Sequence, residues 1–187
     1  VSKLTHQFFD NVDWGELDYL IIDLPPGTGD IQLTLIQKIS LSGAIIVTTP
    51  QDLAHKDVKK GADMFRKMNI PVIGVIENMA YLHLDGFINN FSNNTSIEFG
   101  QDVTVGPINS KGNFSLDIEI FKGKSAAIES ERLGVMLLGS IPLDPNISLF
   151  SDLGKPFIFE SKINNYKDVF LKIVQRLDKF LSKQINE

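Results

Sequence analysis

The hydrophobic and polar positions along the chain form two kinds of pattern: short runs of consecutive apolar residues, and longer segments with helical spacing. The apolar runs do not alternate with polar residues, so both faces of each run are apolar, which is typical of strands buried within a parallel sheet. We predict such strands at residues 17–23, 44–49, 72–77 and 135–141.

The segments between these runs have the spacing of amphipathic helices. We predict helices at residues 31–39, 52–68 and 125–133. Asp30 is a favourable N-cap for the first helix, and Gly134 is a favourable C-cap for the third. The predicted apolar face of the second helix contains Leu53, Val58, Met64 and Phe65. Alternating strands and helices predict an α/β fold, a mostly parallel doubly wound sheet with helices on both faces.

Near the end of the chain, apolar residues recur at helical spacing with Lys and Asp between them. They are Ile163, Tyr166, Val169, Phe170, Ile173, Val174, Leu177, Phe180 and Leu181. The pattern predicts an amphipathic helix within residues 161–187 that packs on the domain formed by residues 1–160. A helix that binds a partner protein is the alternative.

The pattern dissolves between about residues 83 and 120. FINNFSNNTS is rich in Asn and Ser, and VGPINSKGN adds Gly and Pro. This composition predicts a low-complexity surface insertion without fixed structure. Two strand-like stretches within it, residues 97–99 and 116–121, could pair as a marginal hairpin.

Composition excludes several classes of function. The 187 residues are 43% hydrophobic, which is enough for one core, and the net charge of -5 without a basic stripe argues against a nucleic-acid binder. The chain has no Cys, so neither a disulfide nor a thiolate ligand can come from it. No apolar run approaches the roughly 20 residues of a membrane span. We therefore expect a cytoplasmic protein without a membrane partner.

The stretch LIIDLPPGTGD carries the candidate chemistry. Asp23 stands at the end of a predicted strand, where α/β sheets bind their ligands. Pro25 and Pro26 restrict the backbone, whereas Gly27 and Gly29 allow main-chain N–H groups to approach an anion. The pattern indicates a phosphate site with an associated cation. A strand-to-helix turn without a ligand is the alternative.

Four motifs in order extend this reading: WGELDYLIIDLPPGTGD, IIVTTPQDLAHKDVKKGADMF, IPVIGVIENMAY and LGSIPLDP. Together they resemble the Mrp/NBP-type branch of the MinD/ParA-like P-loop ATPases, which are ATP-dependent iron–sulfur cluster carriers and scaffolds. The similarity runs from Val1 to Pro156, interrupted by the insertion. It implies a P-loop NTPase fold, of which residues 1–160 are the C-terminal part.

The resemblance also implies roles for individual residues. Asp23 matches the Walker B aspartate, which holds Mg²⁺ through water, and is implied to be catalytic together with Gly27. The switch II loop that senses the γ-phosphate corresponds to Pro25, Pro26, Gly27, Thr28 and Gly29. The segment near the nucleotide and the dimer partner corresponds to Thr49, Pro50 and Gln51. Asn78 matches the residue that reads adenine, and the loop beside the base corresponds to Pro142, Leu143 and Asp144.

The implied cofactors are ATP and Mg²⁺, with a 4Fe-4S cluster at the interface of a homodimer whose ligands are not cysteines of this chain. The implied partners are apo iron–sulfur proteins. The compartment is the cytoplasm, with the mitochondrial or plastid matrix as alternatives.

The Walker A loop of the family is not found in this sequence. Gly123, Lys124 and Ser125 spell GKS, yet a P-loop needs a glycine where Ile118 stands. We interpret GKS as an altered glycine-rich turn before a helix. We expect an upstream half to carry the Walker A loop, so that the full-length protein is the ATPase and this chain alone is inactive.

Many relatives carry C-x-x-C soon after the ENM motif, whereas this chain has HLDG there. HLDG is more similar to the D-A-D-G of the chloroplast-type, high-chlorophyll-fluorescence subgroup. His83 and Asp85 could ligate a metal, and a plain surface loop is the favoured alternative.

The leading hypothesis is an ATP-binding iron–sulfur cluster assembly or transfer protein. A MinD/ParA-like positioning ATPase is one alternative, because the last helix carries basic residues: Lys167, Lys172, Arg176, Lys179 and Lys183. A degenerate, non-enzymatic scaffold is the other.

Overall fold

The computed structural model describes residues 11–25, 29–90, 92, 97–99, 103–105, 108, 111–159 and 164–185. Its helices are α1 (Asp30–Lys38), α2 (Asp52–Lys67), α3 (Ser125–Leu133), α4 (Pro145–Asp152) and α5 (Asn164–Ile185). Its strands are β1 (Ala44–Thr48), β2 (Val72–Glu77), β3 (Leu82–Phe87), β4 (Ile97–Phe99), β5 (Val103–Val105), β6 (Asn113–Ile118) and β7 (Met136–Ser140). A 3-10 helix spans Phe157–Phe159.

The centre of the fold is a parallel sheet with the strand order β1-β2-β7. These three strands confirm the predictions at residues 44–49, 72–77 and 135–141, with small differences at the ends. In the register, Thr48 lies opposite Glu77, and Glu77 lies opposite Ser140. The carboxyl ends of the three strands therefore meet at one edge of the sheet.

Helices cover both faces of this sheet, so the predicted α/β architecture with a parallel sheet is confirmed. On one face, Ile46 packs in a buried cluster with Phe65 of α2 and with residues of α1 and α3. On the other face, Ile173 of α5 packs against Leu138. A Cβ atom on Gly139 would lie 2.7 Å from Cγ1 of Ile173, so the glycine lets α5 approach the sheet closely.

The strand predicted at residues 17–23 is wrong. This segment has no regular secondary structure and pairs with no strand in the described ranges. Leu17 is 53% exposed and Ile21 is 89% exposed. A strand needs a neighbour that completes its main-chain hydrogen bonds, and an apolar run does not supply that neighbour. Tyr19 donates a hydrogen bond to Asp178 Oδ1 of α5 at 2.5 Å, and this bond raises the pKa of the phenol.

The described part of the insertion contains paired strands, which the composition did not predict. β3 and β6 pair as antiparallel strands, with Leu84 opposite Leu116. β4 pairs with β5, so residues 97–99 form their hairpin with Val103–Val105 and not with residues 116–121. The apolar residues of β6 alternate with polar ones and are half-buried, which stabilises pairing that composition alone did not indicate.

Two details of the predicted helices are wrong and one is confirmed. Gly29, not Asp30, is the N-cap of α1. Leu53 is 76% exposed, because α2 is buried only in its second half, around Met64. α3 has the predicted bounds, and Gly134 ends it in the left-handed conformation with φ 67°.

The C-terminal segment forms α5, and its buried residues include Tyr166 and Ile173. Val174, predicted on the same apolar face, is 56% exposed. Nη1 of Arg176 donates to the main-chain carbonyl of Leu138 at 2.6 Å, so α5 also contacts the backbone of β7. Among the helices that the structure describes, none combines the length and the apolarity of a bilayer-spanning segment.

Candidate functional site

The loops that follow β1, β2 and β7 are joined by main-chain hydrogen bonds. The amide of Asn78 donates to the carbonyl of Thr48 at 2.7 Å, and the amide of Ile141 donates to the carbonyl of Glu77 at 2.7 Å. Ala80 in turn donates to the carbonyl of Ile141 at 2.9 Å. Residues 48–51, 78 and 141–144 are thereby brought to one edge of the sheet, the position where open α/β sheets bind ligands.

Asn78 is half-buried, and its side chain closes the turn after β2. Oδ1 accepts a hydrogen bond from the amide of Met79 at 3.0 Å, and Met79 has a positive φ of 55°. The side-chain carbonyl therefore stabilises the turn, and the NH₂ group is left as the donor that a ligand at this edge could meet.

The loop after β7 is fixed at each of its three candidate residues. Pro142 is fully buried, and the amide of Leu143 donates to the carbonyl of Tyr81 at 2.7 Å. Asp144 is the N-cap of α4, where Oδ1 accepts from the amide of Asn146 at 2.7 Å. Burial and the neighbouring Asp144 raise the pKa of Tyr166 to about 12. The loop is therefore held by burial and by main-chain hydrogen bonds, and the Asp144 carboxylate is engaged in capping.

The segment Thr49, Pro50 and Gln51 lies against the turn before α3. The carbonyl of Pro50 accepts from the amide of Ser125 at 3.2 Å, and a Cβ atom on Gly123 would lie 2.1 Å from the same oxygen. Ser125 is fully buried, with Oγ 3.2 Å from Oγ1 of Thr48. The amides of a P-loop face a phosphate, whereas the amide of Ser125 in this turn donates to the carbonyl of Pro50.

Asp23 lies in an exposed, irregular segment and not at the end of a strand. Pro25 and Gly29 are also exposed, whereas Pro26, Gly27 and Thr28 lie outside the described residues. Leu24 is partly buried against the core cluster. The structure thus shows the Walker B candidate without the strand context that the sequence predicted, and we find no described contact that joins it to the loops around Asn78.

A cation could be held only in a limited way by the described residues. No cluster of three or more His, Asp or Glu side chains with metal-binding geometry occurs among them. Mg²⁺ commonly takes one or two carboxylates and completes its shell with phosphate oxygens and water. Asp23 is an exposed carboxylate among the described residues.

The HLDG segment is a strand, so the predicted surface loop is wrong. Nδ1 of His83 lies 2.5 Å from Oδ1 of Asp117, and Nε2 lies 3.3 Å from Oδ1 of Asp85 and 3.4 Å from Oγ of Ser115. The hydrogen bond with Asp117 is the main cause of the raised pKa of His83, and Asp85 adds to it. The pair His83 and Asp85 is part of a cross-strand ion pair between β3 and β6.

The sequence analysis did not single out Gln32 and did not predict the contact that Ser125 makes. Gln32 on α1 is 6% exposed, and its Nε2 donates to the carbonyl of Pro25. Ser125 anchors α3 to β1. The signal for Gln32 was readable, because a polar residue stands one helical turn before the buried Ile36, on the same face. No local pattern identifies the partner of Ser125.

Known proteins resemble this chain over most of its length. The iron-sulfur cluster carrier protein of Aquifex aeolicus is 40% identical over 186 residues, which cover 100% of this chain and 44% of that protein. The chloroplastic Fe-S cluster assembly factor HCF101 of Oryza sativa is also 40% identical, over 83% of this chain and 24% of its own length. The chain spans about half, or less, of the length of the curated relatives it matches, and the chloroplast-type subgroup is not specifically favoured.

A solved structure resembles the fold. The nucleotide-binding protein from Archaeoglobus fulgidus in complex with ADP has a TM-score of 0.58 and 32% identity, covering 82% of this chain and 52% of that one. The family model described as ParA, NUBPL iron-transfer P-loop NTPase, matches residues 1–105. With its parallel sheet and its converging strand ends, this chain belongs to the NUBPL-type iron-transfer family of P-loop NTPases.

Proposed function

We propose that this protein is an ATP-binding iron–sulfur cluster carrier that assembles or transfers clusters. The observation that carries the proposal is the convergence of three strand ends through the bonds Asn78 to Thr48 and Ile141 to Glu77. This edge is the general ligand site of the fold class, and the related protein that was solved with ADP has a similar fold.

Each candidate residue then has a chemical task. The NH₂ group of Asn78 would face the adenine edge, and Pro142, Leu143 and Asp144 would form the loop beside the base. Asp23 would hold Mg²⁺ through water, and the ion would neutralise charge on the phosphate oxygens. Pro25, Pro26, Gly27, Thr28 and Gly29 would act as the switch II loop that senses the γ-phosphate, with Gly27 as a catalytic residue beside Asp23. Thr49, Pro50 and Gln51 lie between the nucleotide and a second subunit.

The cluster is the cargo. None of its ligands is a cysteine of this chain, because the chain has no cysteine. We place a 4Fe-4S cluster at the interface of a homodimer and apo iron–sulfur proteins as its recipients. As in the D-A-D-G subgroup, the segment after Asn78 lacks paired cysteines, and here it is occupied by the ion pair of His83. We expect the protein to act in the cytoplasm, with the mitochondrial or plastid matrix as alternatives.

The test is Mg²⁺-dependent ATP hydrolysis and cluster transfer by the protein expressed from its complete gene, with Asp23→Ala. We expect hydrolysis to fall by about 10²-fold or more, since the water-mediated contact supports several kcal/mol of charge stabilisation. Asp18→Ala is the matched control, because Asp18 is an exposed carboxylate in the same irregular segment. Equal activity of Asp23→Ala and Asp18→Ala would contradict the Walker B role.

The basic residues of α5 do not favour a membrane-positioning ATPase. The buried face of the helix, around Ile173, packs on the sheet, and Arg176 bonds the backbone of β7. Co-sedimentation with anionic liposomes in the presence of ATP is the discriminating measurement, and we expect the protein to stay in the supernatant. Titration calorimetry with ATP tests the alternative of a degenerate scaffold, because a scaffold would give no binding heat.

A further inference from the structure

Gln32 is a buried polar side chain that bonds the backbone beside the Walker B candidate. It lies in the first turn of α1, is 6% exposed, and donates through Nε2 to the main-chain carbonyl of Pro25. Burying a side-chain amide is costly unless its hydrogen bonds are made. A glutamine at this position, one turn before the buried Ile36, therefore costs stability that an apolar residue would not.

The orientation of the Gln32 amide follows from its partner. A main-chain carbonyl can only accept, so the NH₂ group must face Pro25 and Oε1 must point away. Oε1 is buried and finds no donor among the residues that the structure describes. An unsatisfied buried acceptor is unusual and commonly marks a functional group or a partner that is not present.

The bonded carbonyl stands two residues after Asp23, and Leu24 between them packs against the core cluster. The main chain that carries Asp23 is thus anchored by Leu24 and by the Gln32 bond. We propose that Gln32 is a positioning residue for ATP hydrolysis: it holds the Pro25 carbonyl so that the carboxylate of Asp23 meets the metal–nucleotide complex. The inference rests on the proposed function.

The experiment compares three variants of the full-length protein in ATP hydrolysis, ATP affinity and urea unfolding. Gln32→Met keeps the shape of the side chain and removes both polar atoms, so we expect the free energy of unfolding to stay equal or rise. ATP affinity should change less than about threefold, whereas kcat should fall by about 10- to 100-fold, the range typical of a misplaced catalytic group.

Gln32→Glu replaces the donor with a carboxylate that repels the Pro25 carbonyl, and burial raises the pKa of such a carboxyl group. Protonation restores a donor, so kcat relative to the wild type should recover as pH falls. A purely structural role would not produce this recovery. Gln37→Glu is the matched control, because Gln37 is an exposed glutamine on the same helix. It should retain wild-type kcat at each pH.

The outcomes separate the two proposals. An active wild type with a lowered kcat in Gln32→Met and unchanged stability supports the inference. An active wild type with unchanged kcat in Gln32→Met overturns the role of Gln32 and leaves the ATPase proposal standing. A wild type that neither binds nor hydrolyses ATP overturns the proposed function, and this inference with it.

Discussion

Glu129 is completely buried, and Arg132 holds its carboxylate with two hydrogen bonds, from Nη2 to Oε1 at 2.6 Å and from Nε to Oε2 at 2.8 Å. Arg132 also donates to Oδ1 of Asp63 at 2.8 Å, and His55 lies 3.1 Å from Oε2 of Glu129. These bonds raise the pKa of Arg132 above its ordinary value. The network joins α2 to α3, the two helices that pack together on the same face of the sheet.

Removal of Arg132 should leave a buried carboxylate without its main partner. We expect Arg132→Met to lower the free energy of unfolding by about 3 kcal/mol, the lower end of the range for a broken buried pair, since Arg132 is partly exposed. Urea denaturation measures the loss. Lys60→Met is the control, because its pair with Asp57 is exposed and should contribute about 0–1 kcal/mol. Equal losses in the two variants would contradict the prediction.

The ion pair of His83 should make stability depend on pH. Asp117, Asp85 and Ser115 surround the imidazole and Tyr81 precedes it in the chain, and the pKa of His83 is raised in the folded protein. A raised pKa means that the contribution is complete below the unfolded value of about 6.5 and is lost as pH rises through the folded value.

We therefore expect the difference in free energy of unfolding between wild type and His83→Gln to shrink from pH 5.5 to pH 8.5. Chemical denaturation at each pH measures it. His55→Gln provides the comparison, since its contact with Glu129 belongs to a different network. A difference that grows with pH would be inconsistent with an imidazolium held by Asp117.

Gly123 should not tolerate a side chain. Its φ of 141° is rare for L-residues, and a Cβ atom would lie 2.1 Å from the carbonyl oxygen of Pro50. The strained backbone costs about 1–3 kcal/mol, and the clash with backbone adds to it, so Gly123→Ala should lose about 3 kcal/mol or more and displace the segment after β1. Gly134→Ala has open space around it and should lose only about 1–2 kcal/mol. Thermal unfolding of both variants ranks them.

Asp144 should act as a helix cap in any nucleotide state. Asp144→Ala is expected to lower stability by about 1 kcal/mol because the amide of Asn146 loses its acceptor, whereas Asp144→Asn keeps an acceptor and most of the stability. Asp152→Ala, at the other end of α4, removes a carboxylate from the negative end of the helix dipole and should not destabilise. Calorimetric melting temperatures decide, and a stable Asp144→Ala would count against the capping role.

The parts of the fold that were predictable have local causes. β2 lies at residues 72–77 and α3 at residues 125–133, as predicted, because a continuous apolar run and a glycine C-cap are properties of adjacent residues. The strand predicted at residues 17–23 failed because its existence depends on a neighbouring strand. The pairing of β3 with β6 was not predicted for a similar reason: β6 alternates, but its partner strand is distant in the chain, and the Asn- and Ser-rich composition between the two strands indicated a loop.

The candidate site divides in the same way. Asn78 and residues 141–144 each follow a predicted strand. The sequence pattern therefore predicts that they lie at the same edge of the sheet. The engagement of the Asn78 carbonyl with Met79 and of Asp144 with Asn146 depends on backbone geometry that residue types do not specify. The position of Gln32 one helical turn before Ile36 could be read from the sequence, but its bond to the Pro25 carbonyl is visible only in three dimensions.

The bond from Arg176 to the Leu138 carbonyl makes the two outer edges of the sheet different from each other. Among the described strands β7 is an outer one, and a guanidinium bonded to its backbone obstructs the addition of another strand there. β1, the other outer strand, pairs with β2 alone among the described strands, and its Ile45 and Val47 are exposed. The outer edge of β1 therefore carries no such guanidinium contact among the described residues, and a charge placed on that edge would oppose pairing with a strand of another molecule.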